Sequence, residues 1–130
     1  MVSLTINVAL SCDDYYAPFA AVCMASILEY TREEINFFVL SDKVSEVNKD
    51  YIRRVCTGNN SFGHVKFIDI DSGVEFASLT STETISKAMY GRYLIPKLLP
   101  NVNKIIYTDV DVVFVGDIKT LWSEDILVLL

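Results

Sequence analysis

Leu4, Ile6, Val8 and Leu10 alternate with smaller residues, a period of two that predicts a strand running into Ser11-Cys12-Asp13-Asp14. The period then lengthens. Between Tyr15 and Tyr30, the residues Phe19, Val22, Cys23, Ser26, Ile27 and Tyr30 recur at helical spacing, and Pro18 is tolerable in the first turn. The largely apolar run 35–40 predicts a buried strand, after which Ser41-Asp42 opens a loop. Ser45, followed by Glu46 and Asn48, leads a second helix to about Cys56, with Val47, Tyr51, Ile52 and Val55 expected inward. Thr57-Gly58-Asn59-Asn60 supplies the turn chemistry that ends it. A third strand is expected over 65–70, then a polar loop and a helix over about 82–92, broken by Pro96 and Pro100. A fourth strand over 104–108 and a short helix over 117–122 complete the pattern.

The order β-α-β-α-β-α-β implies an α/β fold: a mainly parallel, Rossmann-like sheet with helices on both faces, in one domain spanning the chain. Ligands of such sheets gather beyond the carboxyl ends of the strands, where strand order reverses. Asp13/Asp14 and Asp109/Asp111 both fall at strand ends, so one rim is expected to carry both acidic groups.

Composition sharpens this picture. Of 130 residues, 52% are hydrophobic and 22% charged, rich in apolar surface for a small free-standing domain. The final run Ile126-Leu127-Val128-Leu129-Leu130 suggests a domain cut partway through, with self-association through exposed apolar surface as a consequence. The net charge of −6 comes without any Lys/Arg cluster, which argues against nucleic acid as a partner. Cys12, Cys23 and Cys56 have neither metal-type nor disulfide-framework spacing and read as reduced thiols of a cytoplasmic protein. No run is long enough for a transmembrane helix. The apolar start alternates like a strand and lacks a cationic leader, unlike a signal peptide.

The most informative chemistry is Asp109-Val110-Asp111, directly after the apolar strand 104–108. Strand periodicity is expected to place both carboxylates on one side, and two such charges repel unless a cation or proton lies between them. Hard oxygen ligands suit Mg²⁺ or Mn²⁺, ions that bridge carboxylates and phosphates. A solvated acidic turn is the plainer reading, but Val112, Val113, Phe114 and Val115 wrap the acids in apolar residues.

Four segments in register resemble the N-terminal half of glycosyltransferase family 8, enzymes of the GT-A nucleotide-sugar fold. Residues 7–16 with Pro18 look like its opening strand and nucleotide-binding turn, and 37–45 like its second strand. Residues 85–96 are similar to its arginine-bearing helix, and 104–111 with Gly116-Asp117-Ile118 and Leu121-Trp122 to its metal motif. The resemblance implies retaining transfer of glucose or galactose from a UDP-sugar to a saccharide acceptor of the lipopolysaccharide type. It implies Mn²⁺, or Mg²⁺ in its place, held by Asp109 and Asp111. Asp13 would bond the uracil edge, Tyr16 would pack on the base, and Ser11 would let the backbone approach the nucleotide. Arg92 would reach the donor sugar or diphosphate, and Val110 would line the donor site. A cytoplasmic location, with a peripheral place on the inner membrane face left open, goes with such an acceptor. Tyr15 departs from the asparagine common at that place. The family's third metal ligand, a histidine, and its acceptor residues belong to a C-terminal half absent here, so this chain alone is not expected to transfer sugar, and no catalytic residue is assigned within it.

Plainer roles compete at several positions. Asp13 and Asp14 could cap the following helix, Tyr16 could be core, and Arg92 could form a surface ion pair. Asp69 and Asp71 are expected to end a strand, and His64 to lie in a loop. Cys12 has no base to activate it. Three other functions compete. A haloacid-dehalogenase-type phosphatase also ends a strand in Asp-x-Asp but needs more chain downstream. A receiver-like module would pair Asp13 and Asp14 with Asp69 but needs a fifth strand. A non-catalytic fragment is the third.

Overall fold

The computed structural model describes residues 4–58, 62–70, 93 and 95–124. The elements run β1 (Thr5–Asp13), α1 (Ala17–Tyr30), β2 (Glu34–Asp42), α2 (Glu46–Cys56), β3 (Gly63–Asp69), α3 (Ile95–Leu98), β4 (Ile106–Tyr107) and α4 (Lys119–Trp122). The helix expected over 82–92, and Arg92 with it, lies outside the described residues.

The four strands form one sheet in the order β3-β2-β1-β4, and every pairing is parallel. Successive strands step outward from β1 to β3 on one side, and β4 then returns to the other flank of β1. The strand order therefore reverses between β1 and β4, where a parallel sheet opens a crevice at its carboxyl ends. β3 sits at the far edge, two strands from β1, so Asp69 cannot complete the acidic cluster of a receiver, whose third strand lies beside its first. Asp69 instead faces Lys49 of α2 at 3.9 Å, and His64 stands 3.7 Å from Glu34 on the neighbouring strand.

Alternation along β1 divides the molecule into two layers. Ile6, Val8, Leu10 and Cys12 join Ile35, Phe37 and Val39 of β2 against Ala20, Cys23, Met24 and Ile27 of α1 and Ile52 of α2. Ala9 and Leu40 turn to the other face and pack with Ile70, Ile95 and Leu99, placing α3 opposite the first two helices. Gly63 opens β3 at a close approach, where an added Cβ would lie 3.0 Å from Leu28 Cδ1 and 3.2 Å from Cys56 Sγ.

Both long helices bury only part of the set the periodicity suggested: Cys23, Ile27 and Ile52 are inward as expected, and several larger residues are not. In α1 the buried set is Ala17, Ala20, Cys23, Met24, Ile27 and Leu28, while Phe19, Val22 and Tyr30 are exposed. The inward face mixes small residues with Met24, Ile27 and Leu28, while the bulky rings of Phe19 and Tyr30 stay outward. In α2 Ile52 and Cys56 are buried, Val55 is partly so, and Val47 and Tyr51 face solvent. Ser45 caps this helix as its sequence implies, its side chain accepting from Asn48 N at 3.2 Å. Pro96 occupies the second position of the short α3, where no intrahelical N–H is required; the helix it was expected to break lies outside the described residues. β4 keeps only two ladder residues of the five expected.

Candidate donor-binding rim between the first and fourth strands

β1 ends on Asp13, and its carboxylate Oδ1 accepts the Tyr16 N–H at 3.0 Å. This side-chain turn bends the chain into α1, and Tyr16 N-caps that helix without using its own side chain. One carboxylate oxygen of Asp13 is thus engaged locally, which leaves the other for a ligand. Asp14 points elsewhere. Its Oδ1 accepts from Ser45 N at 2.8 Å and Asn48 Nδ2 at 2.8 Å, tying the β1–α1 turn to the start of α2. The Ser45 N–H and then the Asn48 amide hold this carboxyl below its ordinary value. The Asp14 carboxylate does not cap α1; it accepts from the backbone N–H of Ser45, the N-cap residue of α2, and from the Asn48 side-chain amide.

Tyr16 is half exposed, edge-on to Tyr15 at 5.1 Å and tilted against Phe19 at 5.5 Å. It is therefore no core residue. The three rings form an open aromatic surface beside Asp13. Ser11 is buried within β1, on the same sheet face as Ala9.

β4 pairs Val8 with Ile106 and Ala9 with Tyr107, and Thr108 N continues the ladder to Ala9 O at 3.0 Å. The same offset carried two residues further sets Asp109 opposite Ser11. The chain then turns at Val110 and Asp111. The two acids consequently lie on a loop rather than on a strand, and strand alternation does not govern where they point. Both are exposed, and Val110 between them packs partly onto the main core. Among the described residues neither carboxylate has an ion-pair partner, and no group of three or more His, Cys, Asp or Glu could hold a metal ion. What the loop offers is two unneutralised carboxylates at a sheet rim, a donor set that fits a divalent cation completed by ligands from elsewhere.

Helix α1 anchors this loop. Cys23 Sγ donates to Asp109 O at 3.8 Å, Thr108 Oγ1 donates to the same oxygen at 3.0 Å, and Ser26 Oγ accepts Phe114 N–H at 2.9 Å. Ser26 and Cys23 thus have roles that their apolar spacing did not disclose. All three cysteines are buried and free. Burial, followed by the charges of Asp13, Asp14 and Asp42, pushes the Cys12 thiol up to about 12. Burial likewise raises Cys23 and Cys56 to about 11. Cys12 beside the rim is therefore an inert packing residue.

The reversal point of this parallel α/β sheet, with a carboxylate-bearing turn on each side, lies where such sheets bind their ligands. The chain belongs to glycosyl transferase family 8, whose family model matches residues 7–127. It is 35% identical over 125 residues to a Haemophilus influenzae protein named "Putative glycosyltransferase", covering 95% of this chain and 37% of that one. It is 29% identical over 123 residues to general stress protein A of Bacillus subtilis, covering 90% of this chain and 42% of the relative. The galactosyltransferase LgtC, solved with donor and acceptor sugar analogues, superposes with a TM-score of 0.78 at 26% identity. That match covers 92% of this chain and 43% of LgtC. The chain thus spans well under half the length of the proteins it matches. Among the described residues no helix is long and apolar enough to cross a membrane.

Proposed function

We propose that this chain forms the donor-binding half of a retaining hexosyltransferase that moves glucose or galactose from a UDP-sugar to a saccharide acceptor of the lipopolysaccharide type. The observation that carries the reading is the junction of β1 and β4, with Asp13 ending one strand and Asp109 and Asp111 following the other. Family membership and the likeness to LgtC, solved with donor and acceptor sugar analogues, support it.

In this reading Asp109 and Asp111 hold Mn²⁺, or Mg²⁺ in its place, against the diphosphate. The bound cation would offset the negative charge that grows on departing UDP. Asp13 uses its free oxygen to accept the uracil N3–H while the other oxygen keeps the Tyr16 turn. Tyr16 packs its exposed ring on the base. Ser11, small and set at the end of β1, leaves room for the nucleotide backbone, and Val110 lines the donor site between the acids. Arg92 reaches the sugar or diphosphate with a fixed guanidinium fork. A further metal ligand and the acceptor site are assigned to a C-terminal half that the longer relatives possess. A cytoplasmic enzyme, peripheral to the inner membrane face, suits the proposed acceptor. Exposed Val22, Val113 and Val115 offer apolar surface for self-association or for that second half.

The test is UDP release from UDP-glucose and UDP-galactose, with and without a lipooligosaccharide acceptor, by the natural protein containing this chain. Acceptor-dependent release from one of the two donors is expected. Release from neither, beside turnover of a different nucleotide sugar, would overturn the donor assignment.

A further inference from the structure

The acids of the proposed cation site lie on irregular backbone, so something other than the strand ladder must fix them. Residues 108–114 are pinned at two ends. Thr108 N bonds Ala9 O at the end of the ladder, and Phe114 N bonds Ser26 Oγ at 2.9 Å. Between these points Asp109 O receives the Cys23 thiol, one helical turn before Ser26. Ser26 is itself fixed: its hydroxyl hydrogen goes to Cys23 O at 2.6 Å, which aims its lone pairs at the Phe114 N–H. Residues 112–115 belong to no helix or strand, so that N–H has no ladder partner to fall back on. The Phe114 ring packs on the main core, a second hold on the loop, while Ser26 fixes the backbone beyond the two acids against α1 and the longer Cys23 thiol contact holds it at Asp109. The same helix begins at the Asp13–Tyr16 turn, so α1 spaces the two halves of the rim.

We propose that Ser26 is a positioning residue for the Asp109/Asp111 pair, holding the loop against α1 so that both carboxylates meet one divalent cation. This rests on the reading that the pair binds such a cation.

The test compares wild type, Ser26→Ala and Ser26→Thr in the full chain, by calorimetric titration of UDP with Mn²⁺ and with a chelator. Ser26→Ala is expected to lower the Mn²⁺-dependent affinity about three- to tenfold, the range one lost hydrogen bond supports. UDP affinity in chelator should not move, and Ser26→Thr, which keeps the hydroxyl, should restore the Mn²⁺ effect. A purely stabilising serine would lower the melting temperature while the folded protein kept wild-type Mn²⁺ dependence, and that result overturns the proposal. If Ser26→Ala does not fold, Ser26→Cys keeps the side-chain size with a weaker acceptor. An intermediate loss of Mn²⁺ dependence then supports the role, and wild-type dependence overturns it. Wild type without any Mn²⁺ effect removes the cation reading itself, and the positioning role with it.

Discussion

Asp13→Asn separates the two jobs given to Asp13. In the folded chain Oδ1 already accepts the Tyr16 N–H at 3.0 Å, and an asparagine carbonyl can keep that bond. The remaining oxygen becomes an NH₂ group, a donor facing the uracil N3–H donor. The β1–α1 turn should therefore survive while the base contact is lost. A hydrogen bond to a charged group is worth roughly 1.5–3 kcal/mol, so UDP affinity should fall by about one to two decades. Inorganic diphosphate, which has no base, should bind as it does to wild type. Asp13→Ala removes both bonds and should add a loss of thermal stability to the same loss of UDP. The assay is calorimetric titration of both ligands at fixed Mn²⁺, with a melting curve for each variant. Equal weakening of UDP and diphosphate by Asp13→Asn, or no weakening of either, would refute the base contact and leave Asp13 as a turn residue.

Two further outcomes follow from the electrostatics. Asp14 is held below its ordinary value, so its carboxylate stabilises the fold above the unfolded carboxylate pKa of about 3.9, and that contribution is lost as pH falls through the lower folded value. Asp14→Ala should thus melt below wild type at neutral pH, with the gap closing under acid conditions; a gap that widens in acid would contradict the bonds to Ser45 and Asn48. With thiols raised to about 11 or 12, the folded protein at pH 8 should react with a thiol reagent only as fast as it unfolds, all three cysteines appearing at once in denaturant; rapid labelling of Cys12 under native conditions would refute its burial.

The sheet was legible because its signal is binary. The alternation Ile6, Val8, Leu10 sorts β1 into two faces, and β2 and β3 match their expected positions to within two residues at each end. Helix faces were not legible in the same way. α1 is apolar nearly all round, so periodicity alone could not tell outward Phe19 and Val22 from inward Ala20 and Met24. β4 contracted because apolar character reports burial rather than ladder bonding: Ile105 packs under the second layer without joining the sheet. The rim itself was foreseen in its acids but not in its supports. Nothing in the spacing of Asp14 predicts a bond to Ser45, because |i−j| there is 31 and only the tertiary fold brings them together. Ser26 and Phe114, 88 residues apart, are invisible to periodicity for the same reason. The expectation that Asp109 and Asp111 share a strand face failed because the chain turns at Val110.

The central claim is that the loop after β4 carries a cation that bridges to a nucleotide diphosphate. Its most direct test is titration of UDP into the natural protein with Mn²⁺ and again in chelator, repeated for Asp109→Asn and Asp111→Asn. UDP should bind more tightly with Mn²⁺, and each variant should abolish that difference while keeping the chelator value. Equal affinity for UDP with and without Mn²⁺ in the wild-type protein would contradict the account.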